Sequence, residues 1–189
     1  VQSESFQAFA NEYGMVFIAL DWIGMSEDDP TQVASLIGTG DIGGLRTIPD
    51  RLQQSLVNFT LAIRMMKTSI VDDPALSYLG ASMVDPDTAY YYGGSQGGIM
   101  GSCLMALTPD VDRGVLGVPG QPYSLLLDRS VDFDPFFALA EASFMTALDK
   151  QLLIGLVQTI WDRAEPSGYS VHVSKDPLPG TPAHDVLLL

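Results

Sequence analysis

Tyr90-Tyr91-Tyr92-Gly93-Gly94-Ser95-Gln96-Gly97-Gly98-Ile99-Met100 decides the fold. The β-prone residues Thr88–Tyr92 run into six residues of which four are glycine. Gln96–Leu107 then predicts a helix whose small residues (Gly97, Gly98, Gly101) let it lie close to a sheet. Gly93-Gly94-Ser95-Gln96-Gly97 matches G-x-S-x-G, a sharp strand-to-helix turn that lifts a serine hydroxyl above a sheet. A serine hydroxyl is a weak nucleophile, so it must be presented to a base and to an oxyanion site. The helix that follows would aim its first N–H groups, beginning with Gln96, at a developing oxyanion. The flanking glycines Gly93 and Gly97 are expected to permit the tight turn. Two other readings of the glycine run stand beside this one. In one, a glycine-rich helix merely packs against its neighbour and Ser95 is simply small. In the other, the loop cradles phosphate, but it lacks the Lys and Ser/Thr of a P-loop.

Outward from this turn, the chain alternates. Met15–Leu20 (M-V-F-I-A-L) is a short continuous apolar run of the kind found in buried parallel strands. Gly24 and Ser26 mark a loop, Glu27–Pro30 is acidic and polar, and the glycines between Gly38 and Gly44 predict a flexible loop. Asp50 with Gln53 three residues on resembles a capping box, and Leu52, Leu56, Phe59, Ile63 and Met66 recur at helical steps. Asp72–Asp87 is turn-rich. Val115–Val118 predicts the next strand. Asp134-Pro135 opens a helix, Gln151–Arg163 gives another, Pro177–Pro182 a rigid loop, and Val186–Leu189 the start of a strand. The pattern predicts an α/β fold with a mostly parallel sheet flanked by helices.

The chain has 189 residues, 47% of them apolar and 17% charged, enough for one domain with a sizeable core. No stretch approaches the roughly 18 uninterrupted apolar residues of a membrane span. The formal net charge is −14, from 9 Lys and Arg against 23 Asp and Glu, which disfavours nucleic acid and anionic membrane surfaces. With one cysteine, Cys103, and two histidines, His172 and His184, neither a disulfide framework within the chain nor a Cys- or His-rich metal centre is expected. Cys103 reads as a small buried hydrophobe. Both histidines read as surface or loop residues. Asp132, Asp134 and Glu165 read as caps or solvated carboxylates, and Trp22 and Trp161 as core or pocket wall.

Several segments together resemble the α/β-hydrolase fold from about its fourth strand to its seventh. They are D-W-I-G-M-S (21–26), R-L-Q-Q-S-L-V-N-F (51–59), Y-Y-G-G-S-Q-G-G-I-M-G (91–101), R-G-V-L-G-V-P-G (113–120), R-S-V-D-F-D-P (129–135) and W-D-R-A-E-P-S-G-Y (161–169). Within that fold they look like a group of bacterial secreted or lipoprotein serine hydrolases. The resemblance implies a hydrolase core over residues 1–120, a small helical cap over 121–165 and a return to the core over 166–189. Phe133, Phe136, Phe137, Phe144 and Met145 are then candidates for an acyl pocket. It implies a carboxylesterase using Ser95 as nucleophile and the Gln96 N–H in the oxyanion hole. The substrate would be a small-molecule ester, with no metal or organic cofactor, acting extracellularly or in the cell envelope. Triad order in this fold is Ser, then Asp or Glu, then His. The acid and histidine are accordingly expected beyond Leu189 and a further oxyanion loop before Met15, in missing segments or companion chains. A peptidase or acyltransferase on the same fold remains open, as does a non-catalytic binding module or an inactive fragment.

Overall fold

The computed structural model describes residues 3–143 and 146–189. Helix α1 (Glu4–Tyr13) is capped by Ser3 and ended by Gly14 at φ +62. Helix α2 (Pro30–Gly38) follows, then α3 (Thr47–Lys67). A two-residue hairpin, β1 (Ser77–Tyr78) and β2 (Ala81–Ser82), leads into β3 (Tyr90–Gly94) and helix α4 (Gln96–Leu107). After β4 (Arg113–Gly117) come α5 (Tyr123–Leu127), α6 (Asp134–Ser143) and α7 (Ala147–Trp161), and then β5 (Asp185–Leu188). The three longer strands form a parallel sheet in the order β3-β4-β5, with Tyr90 opposite Arg113 and Arg113 opposite Asp185. The α/β reading with a parallel, helix-flanked sheet therefore holds. Among the described residues no helix is long and apolar enough to cross a membrane.

Helix α4 occupies the extent its sequence predicts, and its glycines show why it can lie flat on the sheet. A Cβ on Gly98 would sit 2.2 Å from the Gly117 carbonyl oxygen, and one on Gly101 would sit 2.4 Å from the Tyr91 ring and 2.6 Å from Leu116. Close approach buries α4 nearly all round, with Met100, Cys103, Leu104 and Met105 wholly inside. The helical stripe of α3 turns the other side of the core. Leu52, Leu56 and Phe59 are buried, Ile63 packs against them, and the Phe59 ring stacks on Trp22 with centroids 4.0 Å apart. Burying side chains of this size stabilises by roughly 1.5–3 kcal/mol each.

Two local expectations need correction. Met15–Leu20 is not a strand: it joins no ladder, and β3 pairs with β4 alone. Its Phe17 ring instead packs edge-on against Phe6 and tilted against Phe9 of α1, while Phe6 reaches Tyr92 on the outer edge of β3. An apolar run reports neither hydrogen-bond partners nor burial by itself: here Val16, Phe17 and Leu20 are half-buried, while Met15 and Ile18 stay exposed. Asp50 does not cap α3. A tight turn over Gly43–Arg46 feeds straight into the helix at Thr47, which leaves Asp50 in the first turn, ion-paired with Arg163. Its negative charge still complements the positive end of the helix. The Gly38–Gly44 stretch is a turn, in which Asp41 accepts from the Gly44 N–H at 2.9 Å and Gly40 turns the chain at φ +69.

Candidate active site

Ser95 stands between the last residue of β3 and the first of α4. Its backbone is held at φ +52, ψ −118, a region that L-residues enter at a cost of about 1–3 kcal/mol. The turn is locked from both sides. The Ser95 N–H donates to Gly117 O at 3.0 Å, at the carboxyl end of β4, and the Ile99 N–H donates to Ser95 O at 3.0 Å. The side chain is exposed, and its Oγ makes no hydrogen bond among the described residues. Strain in the backbone with a free hydroxyl at its tip is the arrangement that G-x-S-x-G predicts.

The N–H expected to face an oxyanion is that of Gln96. Gln96 is the first residue of α4, so its N–H has no intrahelical acceptor. Its side chain is anchored on both ends: Oε1 accepts from the Tyr123 hydroxyl at 2.8 Å, and Nε2 lies 3.4 Å from Met25 Sδ. Tyr123 in turn stacks on Trp161 at 4.7 Å. One position on, the Tyr91 hydroxyl donates to Gly97 O at 2.6 Å. Burial pushes both phenols far above their ordinary range, so each remains a protonated donor.

Of the two glycines expected to permit the turn, one is required on steric grounds. A Cβ on Gly93 would stand 2.4 Å from Gly97 O. At Gly97 the nearest atom to a Cβ would be Tyr91 Oη at 3.5 Å, ordinary contact. The close approaches fall on Gly93, Gly98 and Gly101, because there the backbone of α4 meets the sheet.

The loop after Asp21 lies against Gln96 through Met25, and a residue that its sequence does not advertise holds it. Asp29, nearly buried, accepts from the Gly24 N–H (2.7 Å), the Ser26 N–H (2.8 Å) and Ser26 Oγ (2.7 Å), and pairs with Arg51 at 2.8 Å. Burial alone would raise its pKa. The Ser26 and Gly24 donors, with the Arg51 charge, outweigh burial and hold the carboxyl below the usual carboxylate range. Gly24 itself sits at φ +102 with Ile48 O only 2.7 Å from where a Cβ would be.

Behind this loop lies a cavity of about 250 Å³, walled chiefly by apolar side chains of α2, α6 and α7. Phe133, Phe136 and Phe137 all line it. Phe144 and Met145 lie outside the described residues. Ser95 is not part of the wall. Met25 and Trp161 are, and they touch Gln96 directly or through Tyr123.

His184 is not a surface residue. It is buried, its Nε2–H donates to Thr108 O at 3.0 Å, and its own N–H donates to Val173 O at 2.7 Å. Thr108 ends α4, so this ring lies a helix length, about 18 Å, from the Ser95 end. It also precedes β5 at the amino end of the sheet, which excludes it as a base for Ser95. A backbone-satisfying role explains its burial, which the sequence alone does not signal. His172 is half-buried, with Nδ1 donating to Asp176 O at 2.6 Å. Glu165 is fully buried rather than solvated: it accepts from the Ser167 N–H at 3.0 Å and the Tyr123 N–H at 3.3 Å, capping the turn that follows. Cys103 is inert, its thiol pushed up by burial and by the nearby Glu165 charge.

No protein-family model, no curated protein and no solved structure matches the chain, so the site stands on its own geometry.

Proposed function

We propose that the chain carries the nucleophile of a serine hydrolase with an α/β-hydrolase type of core, acting on carboxylic esters through an acyl-enzyme. The observation that carries this is Ser95: exposed, at φ +52, at the carboxyl end of a parallel strand, with the N–H of Gln96 opening the helix behind it. In the reaction Ser95 Oγ attacks the ester carbonyl carbon while a general base takes the hydroxyl proton. The carbonyl oxygen becomes an oxyanion, held by the Gln96 N–H. The carbon–oxygen bond to the alcohol breaks, the alcohol leaves with the proton, and water hydrolyses the acyl-serine. One donor at an oxyanion contributes about 10²–10³ in rate. The anchoring of Gln96 by Tyr123 supports the reading, because a donor that need not reorganise stabilises the transition state most.

A non-catalytic ligand-binding module is the second reading. It is favoured by the fact that no hydrogen bond joins Ser95 to either histidine among the described residues. A fluorophosphonate, which forms a covalent bond only with an activated serine, separates the two. Peptide mass mapping should place the phosphonyl group on Ser95, and the Ser95→Ala chain should take up none. The full-length protein is the one tested, and its failure to take up the label would favour the binding module.

A further inference from the structure

Met25 joins the loop after Asp21 to the first residue of α4. Its sulfur accepts from Gln96 Nε2–H at 3.4 Å, and the other side of that amide, Oε1, is taken by the Tyr123 hydroxyl at 2.8 Å. Tyr123 has little room to retreat: it is 1% exposed and its ring stacks on Trp161. The loop is fixed as well. The Gly24 and Ser26 N–H groups donate to Asp29 at 2.7 and 2.8 Å, and the Met25 N–H between them donates to Trp22 O at 3.0 Å. Three successive backbone donors are thus tied down around this side chain. The sulfur nevertheless remains within reach. Met25 is half-buried and forms part of the wall of the 250 Å³ cavity, which has space for several molecules the size of water or hydrogen peroxide, at about 30 Å³ each. By contrast Met100 and Met105, on α4, are wholly buried.

Resting on the hydrolase reading above, we infer that Met25 is a reversible oxidation site through which a hydroperoxide slows the chemistry of Ser95. The sulfur lone pair attacks the terminal peroxide oxygen, and an S–O bond forms as the O–O bond breaks. The sulfur loses two electrons, and the leaving oxygen takes the proton of the transferred hydroxyl, giving water from hydrogen peroxide or an alcohol from an organic hydroperoxide. The product replaces a weak acceptor by a polar, chiral sulfoxide. A well-aligned bond from Gln96 Nε2–H to the new oxygen sets sulfur and nitrogen farther apart than the thioether contact does. With the loop tied to Asp29 and Trp22, the displacement falls on the Gln96 amide and on its bond to Tyr123. Turning the oxygen into the cavity instead buries it among apolar side chains such as Val33 and Ile37, at a desolvation cost. Gln96 carries the N–H expected at the oxyanion, where a misplacement of about 1 Å can cost about 10²-fold in rate.

The test treats the full-length protein with hydrogen peroxide. Peptide mass mapping reads each methionine, and the rate of fluorophosphonate uptake at Ser95 reads the site, each protein being compared with itself before treatment. Met25 should gain an oxygen, and labelling should slow by about tenfold or more. Methionine sulfoxide reductases acting on both epimers, with a thiol as reductant, should restore the rate. In Met25→Leu, a substitution of similar volume, peroxide should change the labelling rate by less than about twofold, although the exposed Met65 and Met83 still oxidise. Met25→Ile is read in the same way, so that a folding defect in one variant does not decide the result. Met25 left unoxidised under conditions that oxidise Met65 and Met83 overturns the inference. So does an oxidised Met25 with labelling unchanged, or an equal slowing in the two variants. Each of these leaves the hydrolase reading standing, because the untreated protein still labels. An untreated protein that takes up no label overturns that reading, and the inference with it.

Discussion

The two ends of α4 carry the same kind of residue and treat it in opposite ways. At the amino end, Ser95 is exposed, strained and without a side-chain partner, while everything around it is tied down: Gln96 by Tyr123, Gly97 by Tyr91, the Ser95 N–H by Gly117. At the carboxyl end, Thr108 and His184 are buried outside the positive-φ region, and His184 Nε2–H donates to the Thr108 carbonyl while its Nδ1 has no hydrogen-bond partner among the described residues. On the proposed reading, that difference is what singles out the amino end for chemistry. A hydroxyl left free on a costly backbone conformation does nothing for stability, whereas a ring that satisfies a buried carbonyl does.

The sharpest break of this comparison is at Ser95. Ser95→Ala in an active preparation should lower ester hydrolysis by about 10⁴-fold or more, with the melting temperature nearly unchanged. Ser95→Gly should be as inactive yet more stable than Ser95→Ala by about 1 kcal/mol, because glycine accepts a positive φ without strain. Denaturant titration of the two variants measures that gap. Equal stabilities would mean that the turn stores no strain.

Next in size is the contact between helix and sheet. Gly98→Ala places a Cβ 2.2 Å from the backbone oxygen of Gly117, which no side-chain rotation relieves. A loss of about 3 kcal/mol is expected, and labelling of Ser95 should fall with it as the helix is pushed off the strand ends. At the opposite end, His184→Leu leaves the buried Thr108 carbonyl without its donor and should cost about 1–2 kcal/mol. Because that ring lies at the wrong end of α4, fluorophosphonate labelling of the folded variant should proceed at the parental rate. A large drop in labelling would put His184 back among the candidates for the base.

Much of this was legible in the sequence because it is local. The Tyr-rich strand, the G-x-S-x-G turn, the extent of α4 and the stripe of α3 each declare themselves within a dozen residues, and the three phenylalanines 133, 136 and 137 do line a cavity. What escaped depends on partners far along the chain. Helix α2 has few residues and no charged ones, and it is defined by packing on α6, where Gly38 faces Leu139. Helix α5 spans five residues, too few to show a period. Asp29 looks like one more acid in Glu27-Asp28-Asp29 until Arg51 and the Gly24 and Ser26 N–H groups converge on it. His184 reads as exposed until Thr108 O is seen beside it.

The Asp29 staple makes the elbow side of the molecule acid-sensitive. Its folded pKa lies below the ordinary value, so its contribution is fully present above the unfolded pKa, about 4, and is lost as pH falls through the folded value. Urea titrations between pH 7 and pH 3 should show stability declining at the acid end. Asp29→Asn should be less stable at pH 7 and should show a shallower decline, since it has no such proton to gain. A variant whose acid profile parallels the parent would remove Asp29 from this role.

The smallest expected effect is the most discriminating about the motif itself. G-x-S-x-G names Gly97 as obligatory, but the structure offers a Cβ there only ordinary contacts, Tyr91 Oη at 3.5 Å and Trp22 Nε1 at 3.9 Å. Gly97 is in helical conformation, and its carbonyl, not its Cα, is what Tyr91 grips. Alanine restricts the unfolded chain and favours the helix, gains of about 0.4–1 kcal/mol where the backbone is compatible. In the first turn of α4, where fewer helical bonds are at stake, the lower end applies. Gly97→Ala should therefore leave stability unchanged or raise it by about 0.5 kcal/mol, with Ser95 labelled as in the parent. The contrast with Gly98→Ala, one residue along and about 3 kcal/mol worse, is what distinguishes a glycine required by the sheet from one carried by the pattern. If Gly97→Ala instead loses more than about 1 kcal/mol, then α4 lies closer to Tyr91 than these distances state, and the elbow is tighter than its far end by more than the position of Ser95.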